Sequence, residues 1–234
     1  MITTVLFDLD GTLLPMDNDE FTRYYFNLLA KKMAAHGFES EELIKGIWIG
    51  KEAMVNNDGS KSNEEAFWEG FTTIFGSKVR ELESEFLEFY KNEFNEAKVI
   101  CSPTEDANKV VKLCKKKGLR VILATSPIFP RVATCNRIKW AGLDEKEFDL
   151  VTTYENMSYC KPNVKYYEMI LKQFDLMPQE CLMVGNDVEE DMVAKELGMD
   201  VFLLDDYIIN RQDSDITQYE HGGFIELIKK IERI

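Results

Sequence analysis

Hydrophobic positions along the chain change their spacing twice. Residues 2–7 are a short apolar, β-branched run that stops at Asp8-Leu9-Asp10-Gly11-Thr12, which predicts a buried strand ending in a turn. From about residue 17 a helical period takes over. Phe21, Tyr24, Tyr25, Leu28 and Leu29 recur at three- and four-residue spacing, as one helix face requires. Leu43, Ile44, Ile47 and Trp48 repeat the pattern, then Ala66, Phe67, Gly70, Phe71 and Ile74, then Leu82, Phe86, Phe89, Tyr90 and Phe94. Gly37, the turn Asn56-Asn57-Asp58-Gly59 and Gly76 separate these segments. Four helices with an aromatic-rich face predict a small bundle with a core of its own.

The rest of the chain alternates. Ser102-Pro103-Thr104-Glu105 reads as a capping box. It opens a helix that turns Ala107, Val110, Val111 and Cys114 inward and stops at Gly118. Strands are predicted over 119–124, 148–152, 180–184 and 201–204, with helices over 131–140, 163–174, 190–197 and 224–234. Strands alternating with helices imply an α/β fold, a parallel sheet covered on both faces. Ligands of such sheets bind beyond the carboxyl ends of the strands. The polar clusters fall there: Asp8 and Asp10 after the first strand, Thr125 and Ser126 after the second, Asn186 and Asp187 after the fourth. The segments divide into a core over 1–16 and 99–234 and a helical insertion over 17–98.

Charge narrows the function. Acidic residues outnumber basic ones 42 to 28, for a net charge of −14. A nucleic-acid binder needs a basic face, and the one basic run, Lys115-Lys116-Lys117, closes a helix where cations favour the dipole. No apolar stretch approaches the ~20 residues that span a bilayer. Nucleic acid and membrane are therefore not expected partners. Five scattered cysteines without a CxxC pair fit a reduced, cytoplasmic protein.

Asp8 and Asp10 are two apart in an extended segment, so both carboxylates can face one cleft. Asp187 and Asp191 are four apart at a predicted helix start and share a face of its first turn. Crowded carboxylates are costly unless a cation offsets them. Mg²⁺ fits, because it takes hard oxygen ligands from few protein groups and keeps sites for water and phosphate oxygens. Thr125 and Ser126 offer hydroxyl and N–H donors, and Lys161 a point charge, to hold a phosphate against Asp8. Singly, each has a plainer reading: turn chemistry, a helix cap, a solvated lysine. Their joint placement at successive strand ends makes them a site.

These residues carry a resemblance. Phe7-Asp8-Leu9-Asp10-Gly11-Thr12-Leu13 resembles the nucleophile loop of the haloacid dehalogenase superfamily. Val121 to Ser126 is similar to its second motif, Lys161-Pro162 to its third, and Gly185-Asn186-Asp187-Val188-Glu189-Glu190-Asp191 to its acidic fourth. The resemblance implies a Rossmann-like three-layer core with an inserted four-helix cap. It implies that Asp8 attacks phosphorus to form an aspartyl-phosphate while Asp10 serves as general acid and then base. Thr125, Ser126 and Lys161 would bind the phosphate. Mg²⁺ would be held by Asp8, the Asp10 backbone carbonyl and Asp187, with Asp191 behind. Many relatives read Gly-Asp where this chain has Gly185-Asn186, so Asn186 is the alternative metal contact through its amide oxygen.

The expected function is a Mg²⁺-dependent phosphatase acting on a small phosphorylated metabolite. A sugar-phosphate mutase of the β-phosphoglucomutase type is the nearest alternative. A non-catalytic phospho-ligand-binding protein is the alternative from another class. Lys51, in the helical insertion, reads as a solvated lysine.

Overall fold

The computed structural model describes all residues, 1–234. Six strands form one parallel sheet: β1 (Thr4–Phe7), β2 (Arg120–Leu123), β3 (Leu150–Val151), β4 (Cys181–Gly185), β5 (Asp200–Leu204) and β6 (Glu220–Gly222). Their order is β3-β2-β1-β4-β5-β6. β1 is central and fully buried. Its Val5 and Phe7 pack with α5 (Glu105–Lys116), α6 (Arg131–Trp140) and α8 (Phe224–Arg233). Leu6 points the other way, toward α7 (Val164–Phe174). Alternation along one strand thus builds the three-layer α/β sandwich. From β1 the chain runs outward to β2 and β3, then returns to β4 on the other side of β1. This reversal opens a crevice at the carboxyl ends of β1, β2 and β4.

Between β1 and α5 lie α1 (Asn18–Met33), α2 (Ser40–Val55), α3 (Asn63–Phe75) and α4 (Glu83–Lys91). Asp17 starts α1 by accepting from the Asp19 and Glu20 N–H groups, and a Ser62–Glu65 capping box starts α3. The aromatic stripe is core, but not a core of its own. Tyr25, Tyr90 and Phe94 pack their rings on Phe129, and Phe94 also meets Trp140. One hydrophobic cluster runs from the insertion into the sheet. Polar ties reinforce both ends. Asn136 Nδ2 donates to the Tyr90 carbonyl at 2.8 Å. At the start of α3, the Asn63 and Glu64 N–H groups donate to the Met157 and Tyr154 carbonyls, each at 2.8 Å.

Some local expectations fail for local reasons. Thr104, not Ser102, caps α5, accepting from the Asp106 N–H at 3.2 Å. The fourth predicted helix stops at Lys91, because Asn92 leaves helical geometry at φ −113°, ψ −87°, and Phe94 belongs to a 3₁₀ segment. The helix expected over 190–197 is a 3₁₀ stretch, Met192–Leu197. Over six residues its apolar spacing fits either period. β6 is a polar edge strand with no sequence signal. No helix is long and apolar enough to cross a membrane.

Candidate active site

Asp8 follows β1 directly. Its N–H donates to the Val184 carbonyl at 2.9 Å, so the β1–β4 ladder fixes where its side chain points. Lys161 Nζ donates to Asp8 Oδ1 at 2.8 Å and to Asp191 Oδ1 at 2.6 Å. Thr12 Oγ1 lies 3.3 Å from Asp8 Oδ2 and donates to Asn186 Oδ1 at 2.9 Å. Lys161 and Asp191 are buried. Burial opposes the lysine's charge, but Asp191 and Asp8 outweigh it and hold its pKa well above the ordinary value. Burial pushes the Asp191 carboxyl upward, with Lys161 pulling against it.

Two glycines permit this packing. Gly11 sits at φ +84°, and a Cβ there would come within 2.3 Å of Asn186 Nδ2. A Cβ on Gly185 would come within 2.0 Å of Asp191 Oδ2.

Asp10 turns toward α6, where Arg137 Nη1 ion-pairs with its Oδ2. Its Oδ1 is buried without a partner. Burial lifts the Asp10 pKa to about 6, against the pull of Arg137 and with a push from Asp8. The Asp10 carbonyl accepts no hydrogen bond from the backbone.

The acidic loop follows β4. Asp187 and Asp191 are joined by a single turn rather than a continuing helix: the Asp191 N–H donates to the Asp187 carbonyl at 2.9 Å. Within that turn Asp191 Oδ2 accepts from the Asp187 N–H at 3.0 Å. Asp187 Oδ1 accepts from the Glu189 and Glu190 N–H groups at 3.0 and 2.9 Å, and its Oδ2 pairs with Arg211 at 2.6 Å. Asn186 Nδ2 donates to the Tyr207 carbonyl at 2.6 Å. Burial pushes Glu190 up to about 7.

At the end of β2, the Thr125 carbonyl accepts from Thr152 Oγ1 at 2.7 Å and Tyr166 Oη at 3.0 Å. Ser126 is half-buried beside it.

One cavity of about 570 Å³ gathers Asp8, Asp10, Thr125, Ser126, Lys161, Asn186, Asp187 and Asp191. Every site residue named from the sequence lines it. The helical insertion forms the opposite wall with Phe26, Trp48 and Lys51 among others. Lys51 is not simply solvated: its ammonium lies over the Trp48 ring, 4.9 Å from the centroid.

The donor chemistry suits Mg²⁺. No three His, Cys, Asp or Glu side chains converge as a preformed cage, and Mg²⁺ asks for none, since it binds through one or two carboxylates and keeps waters. The Asp8 carboxylate, the unbonded Asp10 carbonyl and the Asp187 carboxylate or Asn186 amide oxygen are hard oxygen donors of residues that line one cavity, and these would hold the ion. Asp187 would share its charge between the ion and Arg211.

Arg137, Arg211 and Thr12 were not legible as site residues. Arg137 left a faint signal: it falls on the buried stripe of α6 with Ala133, Thr134, Ile138 and Trp140, where an arginine is out of place. Arg211 lies in an irregular loop without periodicity.

The order of these features along the chain is that of one class of hydrolase, and comparison with known proteins bears this out. The haloacid dehalogenase-like hydrolase profile matches residues 2–198. The chain belongs to this family of hydrolases. The pyrophosphatase PpaX of Bacillus cereus (strain ATCC 10987 / NRS 248) is 28% identical over 193 residues, covering 82% of this chain and 78% of that protein. A HAD phosphatase from Thermococcus onnurineus superposes with a TM-score of 0.61 at 19% identity, covering 98% of each chain. The HAD-hydrolase YfnB from Bacillus subtilis, solved bound to magnesium, gives 0.58 at 16% identity over 99% of each.

Proposed function

We propose that this chain is a Mg²⁺-dependent phosphatase that hydrolyses a small phosphorylated metabolite through an aspartyl-phosphate on Asp8. One observation carries the reading: Asp8, held by Lys161 at 2.8 Å, shares one cavity with Asp10 and with Thr125 and Ser126.

Lys161, 2.8 Å from Asp8 Oδ1, offsets negative charge at this point and limits the repulsion between the carboxylate and an incoming phosphate. Thr125 and Ser126 donate to the phosphate oxygens. An Asp8 oxygen attacks phosphorus as the bond to the ester oxygen breaks, and Asp10 gives that oxygen its proton. Asp10 then takes a proton from the water that attacks the aspartyl-phosphate, and inorganic phosphate leaves with Asp8 restored. Mg²⁺, held by Asp8, the Asp10 carbonyl and Asp187 or Asn186, would neutralise charge that builds on the transferring group.

The helical segment 17–98 acts as a cap over this rim. The cavity volume lies in the range of small-ligand sites, and a folded protein could not enter beneath α1 and α2. The cysteines, all unpaired, suit a reducing, cytoplasmic setting.

A screen of phosphorylated metabolites with Mg²⁺, with EDTA and with Ca²⁺ tests this. Release of phosphate that EDTA abolishes, Mg²⁺ restores and Ca²⁺ supports poorly is expected. Full activity after exhaustive chelation, or phosphoproteins hydrolysed as fast as the best metabolite, would overturn it. Interconversion of hexose phosphates without net phosphate release would instead establish the mutase alternative.

A further inference from the structure

Arg137 is the largest fully buried side chain of the protein, only 1% exposed. Its charge is permanent, and a buried charge is costly without tight pairing. Its surroundings are specific. The guanidinium carbon lies 4.3 Å from the Phe129 ring centroid. Nη2 donates to Thr134 Oγ1 at 3.3 Å, and Nε to the Ala133 carbonyl at 3.4 Å. Nη1 meets Asp10 Oδ2, its only carboxylate partner. An apolar side chain would fill this pocket at lower cost. The arginine is therefore explained by what it does to Asp10.

The two Asp10 oxygens are left unequal. Oδ2 is clamped by a guanidinium that is itself stacked and anchored on α6. Oδ1 is buried and unpartnered, on a residue that lines the cavity with Asp8. We infer that Arg137 is a positioning residue: by pairing with Oδ2 from an anchored place on α6 it fixes the Asp10 carboxyl at the cavity wall, so that the acid meets the leaving oxygen in one orientation. This inference rests on the phosphatase reading, in which Asp10 is the general acid.

The test compares two esters of similar size, phenyl phosphate and p-nitrophenyl phosphate, with Mg²⁺ present. Phenoxide needs a proton to leave; nitrophenoxide departs without one. The measured quantity is kcat/KM, which covers steps up to the aspartyl-phosphate and leaves out its later hydrolysis. R137M should lower kcat/KM on phenyl phosphate by about 100-fold or more, the usual size of a general-acid contribution, and on p-nitrophenyl phosphate by less than about 10-fold. In a D10N background the same R137M change should cost no further activity, because residues acting as one unit are not additive. R137K keeps the charge but loses the planar fork and should show the same ester-dependent loss in smaller measure, about 5-fold or more. It carries the test if R137M does not fold. Equal losses on both esters, or additive losses in the double variant, would reduce Arg137 to a packing role and overturn the proposal while leaving the phosphatase reading intact. No turnover of either ester by the unmodified protein would overturn both.

Discussion

The Lys161 ammonium lies 2.6 Å from Asp191 Oδ1, with both side chains buried beneath the rim. Asp191 thus holds from below the lysine that Asp8 meets from above. D191A removes this support and leaves the Asp187 N–H without its acceptor. Breaking a buried ion pair from one side costs about 3–5 kcal/mol. Denaturant unfolding of D191A should show a loss of that size, and D191N, which keeps the shape and one acceptor, a smaller one. An unfolding midpoint unchanged in D191A would mean the Lys161–Asp8 contact alone holds the lysine.

The start of α3 is latched to the core. The Asn63 N–H donates to the Met157 carbonyl at 2.8 Å, and its Nδ2 lies 3.3 Å from the Pro127 carbonyl and 3.4 Å from that of Tyr159. Tyr159 Oη in turn donates to the Asp58 carbonyl at 2.8 Å. N63A should raise amide exchange across residues 56–64 and raise KM more than it changes kcat, with a stability loss of about 1–2 kcal/mol. Exchange confined to chain termini in both proteins would show that this tie does not gate the cavity.

Much of this site was legible because its residues sit where the hydrophobic runs stop. Asp8, Thr125 and Asn186 each follow a buried strand, and a parallel sheet can only bring such ends together. The bundle's aromatic faces were legible too, since Phe21 to Tyr90 keep a helical period. Long-range pairing was not. Nothing in the spacing of Arg137 says that α6 delivers it to Asp10, 127 positions earlier in the chain. Nothing in Glu220-His221-Gly222 marks an edge strand, because its side chains are not buried. The stretch after Asp191 is too short for periodicity to separate a 3₁₀ turn from an α-helix.

Asp10 should make the metal-free protein sensitive to pH. Its folded pKa of about 6 lies above the ordinary 3.8, so the folded state binds this proton more tightly than the unfolded chain. The stabilisation is complete below about pH 4 and is lost as pH rises through about 6, a change of about 2–3 kcal/mol. Glu190, at about 7, extends the same trend upward. Melting temperatures measured in EDTA should fall between pH 4 and 7, and D10N should flatten the part below pH 6. A flat profile for the unmodified protein would contradict the burial of these carboxyls.

The central claim is that Asp8 carries the phosphoryl group between substrate and water. The direct measurement is acid quenching during turnover of a ³²P-labelled substrate with Mg²⁺, followed by peptide mapping of the protein. Label on the peptide containing Asp8, released by alkali and absent from D8N, is the predicted result; D8N should fold normally and retain less than about one-thousandth of the activity. Steady turnover without any labelled protein, or label on another residue in both proteins, would contradict it.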